Sequence, residues 1–189
     1  MTFEQIVSKL DEDLKREIKE WSLEDRAACI GNACHECNGF KTLQERKPVV
    51  TGSLGGWGYF QWTGPRRRAF MDYASKHNLE PSSYEANSGF LIYELKNTEL
   101  SAIPKTAKAK TLEEKVVSFE LAFERAGVKH YDSRKAWALR VYNVLKTNKP
   151  RVTLDTPSSK EPVQDVKEQK DVKKSWSAWF KGLANIFSK

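Results

Sequence analysis

Apolar residues recur at intervals of three and four along most of this chain, the spacing of helices that each bury one face. Phe3, Ile6, Val7, Leu10, Leu14 and Ile18 form the first stripe. The second begins behind Ser22, a capping residue with Asp25 three positions on as a weak capping box. Leu23, Ala27, Ile30, Cys34 and Cys37 then share a face, and the small Ala28, Cys29 and Ala33 extend it, so this helix is expected to be buried on most sides. Asn38-Gly39 should end it, because both residues tolerate the left-handed conformation. Further helices are expected over 65–77, with His77 at the helix end, over 83–96 through Phe90, Leu91 and Leu95, and over 133–146 through Trp137, Val141 and Val144. Another starts at Thr111, whose capping box is completed by Glu114, and runs through Val116, Phe119 and Phe123 to a stop at Gly127. On it, Glu120 and Glu124 read as a solvated face or as ion-pair partners of Arg125 or Arg134. Residues 101–110 are polar, basic and proline-containing, and read as a loop.

The helical pattern breaks twice. Between residues 49 and 62, Gly52, Gly55, Gly56 and Gly58 surround Val49-Val50-Thr51, Trp57 and Tyr59-Phe60, which predicts a short hairpin with sharp turns. Residues 147–174 carry no aromatic side chain, hold Pro150, Pro157 and Pro162 and intersperse many charges, so they read as a disordered linker. Beyond the linker, Trp176, Trp179, Phe180, Leu183, Ile186 and Phe187 return to helical spacing, an amphipathic helix over 175–189. The expected organisation is therefore one domain over 1–146, with the helix over 3–20 a candidate N-terminal extension, then linker, then terminal helix. That helix has three candidate partners: a membrane surface, a groove on another protein such as a virion component, or its own domain.

Composition narrows this modestly. At 189 residues the chain is long enough for one proper core plus a tail. A net charge of +7 favours anionic partners: cell-wall polymers, membrane surfaces or nucleic acid. Arg66-Arg67-Arg68 on the first turn of a helix resembles a phosphate-binding run, but no nucleic-acid motif accompanies it, so nucleic acid is not the expected partner. Arg66 or Arg67 can equally brace a cleft by pairing with a carboxylate. No span approaches transmembrane length and the N-terminus is acidic and interrupted, so synthesis in the cytoplasm without a signal peptide is expected.

The candidate chemistry sits in residues 29–40 (CIGNACHECNGF) and 55–68 (GGWGYFQWTGPRRR). Glu36 lies in the last turn of the buried helix, where low dielectric and the negative dipole end both favour a protonated carboxyl, the form a general acid needs. Trp57, Tyr59 and Trp62 offer apolar faces for sugar rings, and Gln61 offers donors and an acceptor for hydroxyl or acetamido groups. Each aromatic, taken singly, is more often a core residue than a ligand contact. Glu45 is the one carboxylate between Glu36 and Gln61, a candidate second acid. Cys34-His-Glu-Cys37 has a metal-like spacing, but no second pair follows and His77 and His130 are isolated, so no metal or other cofactor is expected. The cysteines, Cys29 included, read as small buried hydrophobes in a reducing compartment.

The order GN-x-x-x-E, then GGWGYFQWTGPRRRA, then FELAFERAG followed by an arginine-bearing helix resembles the phage tail lysozyme domain, distantly similar to goose-type lysozymes and lytic transglycosylases. The resemblance runs from about Leu23 to about Leu145, and residues 58–67 are its most specific part. It implies a mainly helical, α+β lysozyme-like fold with a small β-hairpin beside the cleft, and cleavage of peptidoglycan glycan strands. It places the catalytic glutamate on Glu36 and the sugar-holding glutamine on Gln61. The residue after the glutamate is usually serine in that family and is Cys37 here. A virion-associated enzyme acting on the cell wall follows from the resemblance, by hydrolysis or transglycosylation. The rival reading is a lysozyme-like scaffold that binds glycan or a virion partner without cutting.

Overall fold

A computed structural model describes residues 1–45, 48 and 52–147. Seven α-helices and one π-helical turn make up its regular structure: α1 (Phe3–Glu17), α2 (Leu23–Glu36), α3 (Gly64–Lys76), α4 (Tyr84–Lys96), α5 (Ala102–Lys108), α6 (Leu112–Phe119), the π turn (Glu120–Glu124) and α7 (Tyr131–Thr147). Three helices open with a complete capping box, from Thr2 and Gln5, Ser22 and Asp25, and Thr111 and Glu114. Each box satisfies amide groups that the first turn leaves without a partner. The pair at Ser22 is thus stronger than its sequence suggested.

The core gathers around α2, which is buried from Asp25 through Cys34. The first stripe packs as its spacing predicts, with Val7, Leu10, Leu14 and Ile18 nearly inaccessible. At the other side an aromatic cluster stacks Trp62 on Phe70 at 4.9 Å and sets Phe90 edge-on to both. Phe119 and Phe123 stack at 4.9 Å and meet Phe60. The tightest crossing is between α2 and α7. A Cβ built on Gly31 would lie 2.5 Å from Ala138 Cα, so only glycine lets the two backbones come this close.

Three expectations need correction. Residues 101–110 are not a loop, because Ala102–Lys108 form α5. Pro104 falls in its first turn, where the missing amide hydrogen costs no helical bond. The helix after Thr111 does not run on to Gly127. It widens into the π turn and stops at Arg125, which adopts the left-handed conformation at φ 55° and donates its N–H to Glu120 O. Of the two readings of Glu120 the ion pair holds and the solvated face does not, with Lys129 as the base in place of Arg125 or Arg134: Glu120 is fully buried and accepts bonds from Ala126 N–H, Lys129 Nζ and Tyr131 Oη.

The expected β-hairpin is represented, among the described residues, by two isolated antiparallel bridges, Gln44 with Trp57 and Trp57 with Trp62, and by no strand. Side chains support this segment instead. Arg67 donates to Gly55 O and Gln44 Oε1, and Gln44 Nε2 donates to Leu54 O. The linker and terminal helix expected beyond residue 147 lie outside the described residues. No helix among the described residues is long and apolar enough to cross a membrane.

Candidate active site

Glu36 is the last residue of α2, and 20% of its side-chain surface is accessible. Arg134, near the start of α7, donates from Nη2 to Glu36 Oε1 at 2.5 Å. That guanidinium is 1% exposed and held at three points. Nη1 donates to Asn32 Oδ1 at 2.9 Å, and Nε donates to Lys129 O at 2.9 Å. Asn32 is fixed in turn, its Nδ2 donating to Ala28 O and Val116 O. The GN-x-x-x-E order therefore has a mechanical meaning. Gly31 admits α7, Asn32 orients its arginine, and the arginine meets Glu36 one turn later. The apolar setting expected for Glu36 is in fact a charged one.

A second carboxyl group belongs to the same cluster. Glu124 closes the π turn, and its Oε1 is shielded from solvent without a hydrogen-bond partner. Burial raises its pKa well above the ordinary carboxylate range. The negative charge of Glu36 adds to the rise, and Arg66 and Arg134 oppose it. Arg66 is already engaged: it grips Glu94 with Nε and Nη2 at 2.8 Å each and donates from Nη1 to Phe123 O. Glu94 Oε2 also accepts the Trp62 indole N–H at 2.7 Å. Of the arginines in the run, Arg66 thus braces the site through Glu94.

The glycine–aromatic segment adjoins the end of α2. Phe40, just beyond Glu36, packs edge-on against Tyr59 at 4.8 Å. Gln61 Nε2 donates to Gly58 O at 2.9 Å and Leu43 O at 3.0 Å, tying the 58–62 turn to the segment that follows Glu36. The sequence-predicted aromatics divide. Trp62 is 1% exposed and Tyr59 5%, so neither presents a face to a sugar. Trp57 is half-buried, with its indole N–H on Pro81 O and Arg67 over the ring. A groove of about 450 Å³ lies beside this segment, lined by Leu54, Gly55, Gly64, Arg67, Arg68 and Met71 among others; Glu36 does not line it. Glu45 Oε2 accepts Gly56 N–H at 2.8 Å, so this carboxylate supports the loop.

Cys37 sits where a serine would have a hydroxyl, and its thiol turns inward. Sγ donates to Ala33 O at 3.0 Å and accepts Phe40 N–H at 3.3 Å, and burial pushes its pKa up to about 12. Cys29 and Cys34 are equally buried. Among the described residues no three His, Cys, Asp or Glu side chains gather as metal ligands. Sequence reasoning missed Asn32, Glu94 and the role of Glu124. A polar residue inside an otherwise apolar helical run was the available signal for all three.

A helical domain with a glutamate closing a buried central helix, beside a glycine-rich aromatic segment, is a lysozyme-like arrangement. The model of the phage tail lysozyme family matches residues 14–145, most of the chain, and the protein belongs to that family. Its role is accordingly lysozyme-like and directed at the cell wall in general terms. No curated protein and no solved structure matches it.

Proposed function

We propose that this protein cleaves the β-1,4 bond between N-acetylmuramic acid and N-acetylglucosamine in peptidoglycan, with Glu36 as general acid. The observation that carries the reading is the way Glu36 is held. A buried, triply anchored arginine fixes Oε1, while Oε2 has no hydrogen-bond partner among the described residues. A carboxyl fixed on one oxygen and open on the other is set to reach a glycosidic oxygen. Trp57 is the aromatic best placed to contact a sugar, since Tyr59 and Trp62 are in the core. Gln61 contributes by shaping the turn, its amide hydrogens being bound to backbone carbonyls, and its Oε1 is the atom left for a sugar amide.

The engagement of Glu45, the candidate second acid, bears on the outcome. Glu45 holds the loop backbone, which favours attack by the sugar's own hydroxyl and an anhydro product over a two-carboxylate hydrolysis. The non-catalytic alternative draws on one observation, the ion pair that occupies Glu36. A virion location with action at the cell wall fits the family, and residues 176–187 are the proposed segment for docking to a virion protein or membrane surface. Clearing of a purified peptidoglycan suspension by the full chain and by Glu36→Gln tests the reading. Wild-type clearing with loss in the variant is expected. Equal clearing by both refutes the assignment of Glu36, and glycan binding without clearing by either supports the binding-module alternative.

A further inference from the structure

The cluster around Glu36 contains one more acid than its bases pair. Arg134 is committed to Glu36 and Arg66 to Glu94, while Glu124, which feels the charges of Glu36, Arg66 and Arg134, keeps one oxygen, Oε1, shielded from solvent without a hydrogen-bond partner. A buried carboxyl left without a partner is costly as an anion and far less so as a neutral acid. Its backbone is equally particular. Glu124 ends a π turn, and a left-handed Arg125 follows at once. Wide turns of this kind interrupt helices often at functional sites, and here the interruption carries the side chain into the charge cluster. The facing groups are Glu36 and Cys29 of α2, Cys37 just after it, Arg66 of α3, Glu94 of α4, Arg134 of α7, and Arg125 beside it in the chain. Of these charges Glu36's acts on it most strongly.

We propose that Glu124 is a positioning residue for Glu36: its unpartnered carboxyl stores the proton that reaches Glu36 through intervening water before the glycosidic bond breaks. This deepens the assignment of Glu36 as general acid and rests on it. The steps balance. Glu124 gives up its proton as Glu36 gains one, so the pair carries a single proton up to bond cleavage. Glu36 then donates that proton to the leaving oxygen, which also takes the electron pair of the broken C–O bond. The attacking hydroxyl, from water or from the sugar itself, bonds to the sugar carbon and returns its own proton to the pair. Because the two acids share one proton, the alkaline limb of activity belongs to both and not to Glu36 alone.

The test is the pH–rate profile of peptidoglycan solubilisation by the full chain, Glu124→Gln and Glu36→Gln. Glutamine keeps the shape and neutrality of the protonated acid but stores no proton. Glu124→Gln should retain activity in acid and lose it earlier on the alkaline side, the limb moving down by about one pH unit or more. A profile that superimposes on wild type overturns the proton-sharing role while leaving Glu36 as the acid. Full activity in Glu36→Gln overturns both. If Glu124→Gln does not fold, carboxyl carbon NMR of the glutamate-labelled wild type decides. One glutamate should remain protonated at neutral pH and titrate lower in Glu36→Gln. Ionisation of every glutamate at neutral pH overturns the proposal.

Discussion

Replacing Gly31 with alanine tests whether the α2–α7 crossing is what places Arg134. The added methyl would lie 2.5 Å from Ala138 Cα, 2.6 Å from its Cβ and 2.6 Å from its N. Two of these three obstacles are backbone atoms, so no rotamer change relieves the overlap. The helices must part by roughly 1 Å to restore ordinary contact, in a core packed too densely to absorb it. Overpacking of this kind costs about 1–3 kcal/mol, and the rigid backbone puts this site at the upper end. Alanine returns about 1 kcal/mol through helix propensity, leaving about 2 kcal/mol net. For a domain of this size that lowers Tm by about 4–8 °C. Urea denaturation at constant m-value should report the same loss. Ala138→Gly should not rescue it, since it removes Cβ but leaves Cα and N in place. A Gly31→Ala protein as stable as wild type, or a full rescue by Ala138→Gly, would refute the close-approach argument.

Other outcomes follow from the same contacts. The Lys115–Asp25 pair is 2.7 Å apart and almost inaccessible, so Lys115→Met strands a buried carboxylate and should cost about 3–5 kcal/mol by chemical denaturation; Asp25→Asn in that background should recover part of it. Burial, then the charges of Arg134 and His130, lowers His35 from its ordinary 6.5 to about 4. The folded protein thus resists a proton that the unfolded chain accepts, so stability is unaffected above about 6.5 and falls as pH drops from there toward about 4. His35→Gln should flatten that part of the stability–pH curve and leave neutral stability near wild type. Trp62→Ala empties a core position and should cost about 3–5 kcal/mol. Trp57→Ala should instead raise the substrate concentration needed for half-maximal rate while leaving Tm within a few degrees; equal destabilisation by both would contradict their different burial.

Much of the helical frame was legible because periodic apolar stripes and capping boxes act locally. Ser22 with Asp25 and Thr111 with Glu114 start helices where the sequence places them. The α5 segment was not legible, since Pro104 reads as a breaker unless its place in the first turn is known. Nor was the stop at Arg125, which depends on Glu120 holding the following segment through buried long-range bonds. Within the site, Glu36 could be singled out from its helix end, but its neighbours could not. Arg134 lies 98 positions away and Glu124 nearly as far, and only the Gly31 crossing and the π turn bring them together. The aromatic-rich segment shows the reverse limit. Trp57 and Trp62 look alike in sequence, yet one is half-exposed and the other stacks on Phe70.

The central claim is that Glu36 supplies the proton that breaks glycan strands. Its most direct measurement is mass spectrometry of the fragments released from purified peptidoglycan by wild-type protein and by Glu36→Gln at equal folded concentration. New muramic acid ends, reducing or anhydro, should accumulate with wild type and be absent with the variant. Identical fragments from both proteins, or a wall left uncut by wild type though coated with it, would contradict the account.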